Sequence, residues 1–193
     1  MFETNKRRYD LNCLIEIGMN SGDIKLIEPA MELKAEFLAM AEEFKAEGAD
    51  VINGVGSIEP GDFENSVKRA KEHVDGIGLP EGWVPASTYW LVREEILIGT
   101  CNLRHELNDF LENYGGHIGY SVRRSQRNKG YGTQMLRFSL QKARDLGIER
   151  ALVTCDDNNI ASARTIEKNG GKLADKVKTE YTEYLIRRYW IEL

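Results

Sequence analysis

Cysteine is scarce in this chain and long apolar runs are missing, and each absence narrows its class. Three cysteines occur in 193 residues, at Cys13, Cys101 and Cys155. The number is odd, the spacing is wide, and no Cys-x-x-Cys or mixed Cys/His ligand pattern accompanies them. That argues against a disulfide framework and gives no metal-ligand set. Reduced thiols in a cytoplasmic protein are expected. No stretch approaches the length of a membrane-spanning helix. The N-terminal Met1-Phe2-Glu3-Thr4-Asn5-Lys6-Arg7-Arg8 is not followed by a long apolar segment, which speaks against a signal peptide. Basic residues are also in deficit, with 26 Lys+Arg against 31 Asp+Glu and a formal net charge of −5. An extended basic face for nucleic acid or an anionic membrane is therefore not expected. No internal repeat or low-complexity tract appears.

What is present suits one globular domain with a sizeable core: 41% of residues are hydrophobic and 30% charged. Residues 1–23 read as an N-terminal extension of uncertain structure, either a strand or an arm packed on the domain or on a partner. Residues 24–193 read as a single domain. Ile24-Lys25-Leu26-Ile27 is a short strand, and a helix over roughly 31–47 follows Pro29, with Gly48 as its stop. Residues 51–61 read as a glycine-rich loop. Asp62 or Asn65 caps a second helix to about Val74. Residues 88–92 and 96–103 are strand candidates joined as a hairpin by Arg93-Glu94-Glu95, and 117–122 is a third. Met135, Leu136, Ser139, Leu140, Ala143 and Leu146 fall on one helical face that ends at Gly147. Residues 151–155 make a short, mostly apolar strand, and such a run flanked by helices implies a central sheet covered on both faces. Asn159 lies at the start of a helix to about Asn169, and 172–178 and 182–191 are the last strands. The class is α/β, with one central mixed sheet of about seven strands.

The most informative segment is Arg127-Asn128-Lys129-Gly130-Tyr131-Gly132, between the strand at 117–122 and the start of an amphipathic helix. The free N–H groups and partial positive charge of a helix start favour an anion, most often a phosphate. Gly130 and Gly132 lack a Cβ and let the main chain approach a ligand closely. Arg123, Arg124, Arg127 and Lys129 add local positive charge. A nucleotide-binding reading is disfavoured: no Gly-Lys-Ser/Thr ending follows the turn, and Gly-x-Gly-x-x-Gly spacing is absent.

The pattern Arg-x-x-Gly-x-Gly after Gly119-Tyr120-Ser121-Val122, with Asn159-Ile160-Ala161-Ser162 and Lys168-Asn169-Gly170-Gly171 downstream, resembles the GNAT N-acetyltransferase superfamily. The phrase from Gly116 to Arg123 resembles one branch of predicted acetyltransferases whose substrates are poorly defined. The resemblance spans roughly 24–193 and is densest from Gly116 to Gly171. It implies acetyl-CoA as cosubstrate and no metal. By position, Arg127, Asn128, Lys129, Gly130, Tyr131, Gly132 and Thr133 would offer backbone N–H groups to the pyrophosphate. The backbone of Tyr120, Ser121 and Val122 would hydrogen-bond the pantetheine arm as an added strand does, and Asn159 and Ser162 would lie beside that arm. In this family the strand at 117–122 and the one at 151–155 splay apart to open the slot.

One departure stands out. Many relatives carry a tyrosine four residues after the serine as general acid; here that position is Ile166. Tyr131 and Tyr120 are candidate replacements, Tyr131 having an apolar contact beside the turn as its alternative. His117 is a candidate base, since an imidazole titrates near neutrality; its alternative is a strand histidine hydrogen-bonded to a neighbour. His105 and Glu112 are weaker candidates. Arg123 and Arg124 are either solvated turn residues or phosphate contacts. Asn159 is at the least a helix cap. The expected activity is transfer of an acetyl group to a primary amine of a small molecule or peptide, by direct attack on the thioester. The acidic chain mildly favours a cationic acceptor. A noncatalytic acyl-CoA-binding module is the competing class, and a homodimer is expected by analogy alone.

Overall fold

The structure is a computed structural model that describes residues 24–49, 51–53, 56–57 and 62–193. The N-terminal extension and Cys13 lie outside the described residues. The elements in chain order are β1 (Ile24–Ile27), α1 (Lys34–Ala46), β2 (Val51–Ile52), β3 (Gly56–Ser57), α2 (Phe63–Glu72), β4 (Ala86–Arg93), β5 (Ile96–Arg104), β6 (Ile118–Val122), α3 (Tyr131–Asp145), β7 (Arg150–Asp156), α4 (Ile160–Lys168), β8 (Lys172–Lys178) and β9 (Leu185–Glu192). The stretch read from sequence as a loop at 51–61 contains the small β2–β3 pair. Two-residue strands leave no periodicity for sequence to display.

The seven principal strands form two sheets rather than one. Their orders are β1-β4-β5-β6 and β7-β9-β8, with every ladder antiparallel. β6 and β7 are the facing edges, joined through α3 by the kind of crossover that parallel neighbours require. Their bond lies at one end. The His117 N–H donates to the Leu152 carbonyl at 2.7 Å, and the Leu152 N–H donates back to His117 Nδ1 at 2.9 Å. Nearby, the Thr154 hydroxyl donates to the Tyr114 carbonyl at 2.5 Å. No ladder continues the pairing along β6, so the two edges separate there.

The first sheet has unlike faces. On one, Leu103 and Ile118 pack with Leu136, Leu140 and Ala143 of α3 and with Ala163 and Ile166 of α4. On the other, Trp90, Val92 and Leu97 meet Phe37, Met40 and Phe44 of α1 and Phe63 and Val67 of α2. Phe37 stacks on Trp90 with ring centroids 5.5 Å apart. The stripe read on α3 holds as far as Ala143. Leu146 is 48% exposed, because it occupies the C-cap position one turn beyond the residues that touch the sheet.

Gly116 makes the junction of the two sheets possible. Its backbone has φ 64 and ψ −175, a region reserved for glycine, and a Cβ there would lie 2.7 Å from the Leu152 carbonyl oxygen. Gly116→Ala is expected to cost about 3 kcal/mol, measured by urea unfolding. A loss under about 0.5 kcal/mol would show that the junction relaxes freely. The imidazole of His117 should also give stability a pH dependence. Burial, helped by the nearby Arg104 cation, pulls its pKa from 6.5 down to about 4. A histidine held neutral in the fold contributes stability that is whole above pH 6.5 and is lost as pH falls toward 4. At pH 5 the loss is on the order of 2 kcal/mol. His117→Gln keeps an acceptor for Leu152 N–H without titrating, so it should lose less between pH 7.5 and 5. His73 and His105, also lowered by burial, are common to both proteins and cancel. Equal slopes in the two proteins would overturn this assignment.

Candidate functional site

The turn between β6 and α3 is built on two left-handed residues, Asn128 at φ 62 and Gly130 at φ 83. The first bond of α3 runs from Gln134 N–H to the Gly130 carbonyl at 3.2 Å. The N–H groups of Tyr131, Gly132 and Thr133 therefore precede the helix's own bonding and lie at its positive end. Nothing lies within 4 Å of a Cβ built on Gly130, and one on Gly132 would meet only Thr165 and Tyr120, at ordinary distances. Packing does not demand glycine at either position; at Gly130 the left-handed backbone favours it, and Gly132 leaves the main chain open to a ligand. Of the run read as anion-binding, the Arg127 N–H is already committed to the Arg124 carbonyl at 3.2 Å.

Three of the turn's four positive charges, Arg123, Arg127 and Lys129, are used internally. Arg123, its side chain 10% exposed, pairs with Glu36 at 2.9 Å and Glu43 at 2.6 Å. Arg127 forks onto both oxygens of Glu47, each at 2.7 Å, and lies over the Phe44 ring. Glu43 also accepts from the Ser125 N–H and hydroxyl, each at 2.8 Å. Burial alone would raise the Glu43 pKa, but these bonds from Ser125 and Arg123 hold it below the usual range. The Lys129 ammonium donates to the Ser125 carbonyl and to Gln126. Of the two readings offered for Arg123, neither solvation nor phosphate contact describes it: it is a brace. The missed signal was the acidic face of α1, where Glu36, Glu43 and Glu47 recur at helical spacing.

β6 supplies the wall of the gap. Arg104 N–H donates to the His117 carbonyl, and Arg123 N–H to the Ile98 carbonyl. Antiparallel alternation then turns the His117 C=O, both backbone groups of Gly119 and Ser121 and the Arg123 N–H toward β5, and the backbone groups of Tyr120 and Val122 toward the gap. Both carbonyls at the open end are taken. Tyr120 C=O accepts from Asn53 Nδ2 at 3.3 Å, and Val122 C=O from Arg127 Nε at 2.9 Å. The N–H groups of Tyr120 and Val122 remain aimed at the gap. Ser121 turns its backbone to β5, while its hydroxyl meets Asn53 Nδ2 at 3.1 Å on the sheet's other face. It stands apart from Tyr120 and Val122.

Beyond the gap, the Tyr120 hydroxyl lies 3.0 Å from Ser162 Oγ. Asn159 caps α4 by accepting the Ser162 N–H at 3.0 Å. Burial pushes the Tyr120 pKa up to about 12, against a lowering by its bond to Ser162, so the phenol stays protonated. Burial likewise lifts Cys155, beside Ser162, to about 11, and no activating base offsets it. Ile166 is fully buried against Gly171, so that position faces the core instead of the gap.

The other sequence candidates lie elsewhere. Tyr131 packs with Leu91, Ile98, Cys101 and Met135, and its hydroxyl accepts from Arg93 at 3.2 Å. His117 uses its Nδ1 lone pair on Leu152. His105 Nε2 is 2.8 Å from the Ser87 hydroxyl. Glu112 is exposed on the single π-turn at Leu111–Gly115. Among the described residues, no cluster of His, Cys, Asp or Glu could hold a metal, and no helix is long and apolar enough to cross a membrane.

Comparison with solved structures finds the same architecture in acetyltransferases. The microcin C7 self-immunity acetyltransferase MccE, solved with acetyl-CoA and AMP, has a TM-score of 0.65 at 19% identity over 91% of this chain and 98% of that one. An acetyltransferase from Salmonella typhimurium that modifies the N-terminal serine of ribosomal protein L7/L12 has a TM-score of 0.64 at 16% identity, over 88% and 95% of the two chains. A GNAT-family acetyltransferase from Bacillus anthracis has 0.58 at 17%, over 90% and 96%. No curated protein is similar enough in sequence to count as a relative. The family model described as an acetyltransferase (GNAT) domain matches residues 42–172, which takes in the turn, the gap and Ser162. The chain belongs to the GNAT acetyltransferase family.

Proposed function

We propose that the protein is an N-acetyltransferase that uses acetyl-CoA and a primary amine. Family membership makes acyl transfer the class of reaction. The observation that carries the finer reading is a continuous track of unengaged N–H groups. It runs from Tyr120 and Val122 on the edge of β6 to Tyr131, Gly132 and Thr133 at the start of α3. The helix start suits a pyrophosphate, and the β6 edge suits an extended amide-bearing arm. The complex of MccE with acetyl-CoA and the ribosomal-protein relative, which modifies an amine-bearing serine, are consistent with this reading.

Tyr120 and Ser162 take the place of the missing tyrosine. A thiol titrates near 8.5 and Tyr120 near 12, so the phenol does not surrender its proton outright. It acts as a fixed donor to sulfur as negative charge develops there, with Ser162 positioned beside it. The N–H groups of Tyr120 and Val122 can orient and polarise the acyl carbonyl in the same way. His117 and Tyr131 have no proton-transfer role in this reading: the one lone pair of the neutral imidazole accepts the Leu152 N–H, and the Tyr131 hydroxyl accepts from Arg93. The burial of Ile166 also favours a second reading, a module that binds acyl-CoA without turnover.

Calorimetric titration with acetyl-CoA tests the first step. Wild type should bind, and Gly130→Trp, whose side chain enters the open space over the turn, should not. A flat wild-type titration would sink the acetyltransferase reading. Turnover over a broad panel of amines then separates enzyme from binding module. Tyr120→Phe should keep acetyl-CoA affinity within a few-fold and lower kcat about a hundredfold; an unchanged kcat would remove Tyr120 from the chemistry.

A further inference from the structure

Among the described residues, Arg104 lacks the carboxylate partner that the other mostly buried arginines have. The other arginines with mostly buried side chains each grip a carboxylate: Arg123 holds Glu36 and Glu43, Arg187 holds Asp157, and Arg188 holds Asp175. Arg104 is half-buried at the end of β5, yet no carboxylate of the described residues pairs with it. Its Nη1 donates to the carbonyls of Gly115 at 3.0 Å and Gly116 at 3.3 Å. Two neutral carbonyls on one nitrogen leave most of a five-donor fork unused, and they compensate a partly desolvated cation only in part.

The position of that cation points to the reacting amine. Cross-strand pairs share a face, so Thr88, Asn102 and Gly119 line up across β4, β5 and β6, with Arg104 two residues beyond Asn102 on the same face. Farther along, the same face is apolar under α1 and α2; here it is a polar floor, with Asn102 donating to the Thr88 hydroxyl at 3.3 Å. Gly119 leaves room for two side chains to converge: a Cβ on it would lie 2.7 Å from Asn53 Oδ1 and 3.4 Å from Arg104 Nη1. The next residue is Tyr120, whose N–H faces the gap. Consecutive Cα atoms are about 3.8 Å apart, so a group on Arg104 and an amine beside the Tyr120 backbone fit within one small molecule.

We propose that Arg104 anchors a carboxylate of the acceptor, and that the substrate is an amine bearing a carboxylate within the span of a single amino acid. The inference rests on the acetyltransferase reading and names its substrate class. The acceptor is then zwitterionic, more specific than the cation favoured by net charge alone. A fork-shaped guanidinium is the side chain suited to a planar carboxylate, and the polar floor supplies neutral donors and acceptors around it.

The test needs no turnover. Protein saturated with CoA is titrated with the N-acetyl derivatives of the common amino acids and, in parallel, with their carboxamides. At least one acid should bind tenfold or more tightly than its amide. Arg104→Gln should erase that preference, weakening the acid about ten- to a hundredfold while leaving CoA and amide binding unchanged. Arg104→Lys should retain part of the preference. Acids and amides binding alike in wild type, or no acid binding at millimolar concentration, would overturn the proposal. So would an Arg104→Gln variant that binds CoA normally yet loses acid and amide equally. If Arg104→Gln fails to bind CoA, the lysine variant decides, with loss of all acid preference counting against the anchor. A wild type that binds no acetyl-CoA overturns the underlying reading, a result distinct from normal CoA binding without acid preference.

Discussion

Everything at this site depends on where two sheet edges stop touching. The hydrogen bonds between His117 and Leu152 close one end of the β6–β7 boundary, and beyond them each edge goes its own way. Continuous pairing would consume the N–H groups of Tyr120 and Val122 in a ladder and leave no gap. A complete break would let the sheets drift and lose the approach of Tyr120 to Ser162. A junction fixed at one end gives an opening of defined width between rigid elements, the condition under which small differences in placement matter to chemistry. The imidazole contributes by being uncharged, because its lone pair must accept a buried N–H.

The second support is electrostatic and comes from far away in sequence. α1 lays Glu36, Glu43 and Glu47 against Arg123, Arg127 and Ser125. The turn thus keeps its shape without spending the N–H groups of Tyr131, Gly132 and Thr133 on itself. Positive charge there acts first to hold the loop to the helix, and the open N–H groups at the start of α3 are left to meet an anion. On the proposed reading an acidic chain presents an anion site because the field is local and backbone-derived, while Arg123 and Arg127 are paired with carboxylates of α1 and its C-cap.

The course of the chain was largely legible because its signals are local. The glycine turn, the apolar stripe of α3 through Ala143, the Asn159 cap and the strand periods all depend on residues a few positions apart. What sequence could not show depends on partners far along the chain. An imidazole's ordinary titration near neutrality made His117 a candidate base, but its partner Leu152 belongs to another sheet. Arg123 read as either a solvated turn residue or a phosphate contact, and Arg127 as local positive charge, until α1 and its C-cap Glu47 came alongside. Tyr120, Ser121 and Val122 read as one binding unit, while the hydrogen-bonding register with β5 sends Ser121 the other way. A two-residue β2 left no pattern, yet the Asn53 that follows it reaches the Tyr120 carbonyl and the Ser121 hydroxyl.

That Asn53 contact, together with the bond from Arg127 to the Val122 carbonyl, has a bearing on solubility. An open edge strand ordinarily offers donors and acceptors in alternation and so templates pairing with any stray chain. At the open end of this edge the Tyr120 and Val122 carbonyls are capped by side chains and their N–H groups are left. A foreign strand would have to bury its own N–H groups opposite occupied carbonyls, a costly mismatch. A ligand rich in carbonyl oxygens meets no such penalty. The edge can therefore stay open to a small molecule while resisting edge-to-edge association.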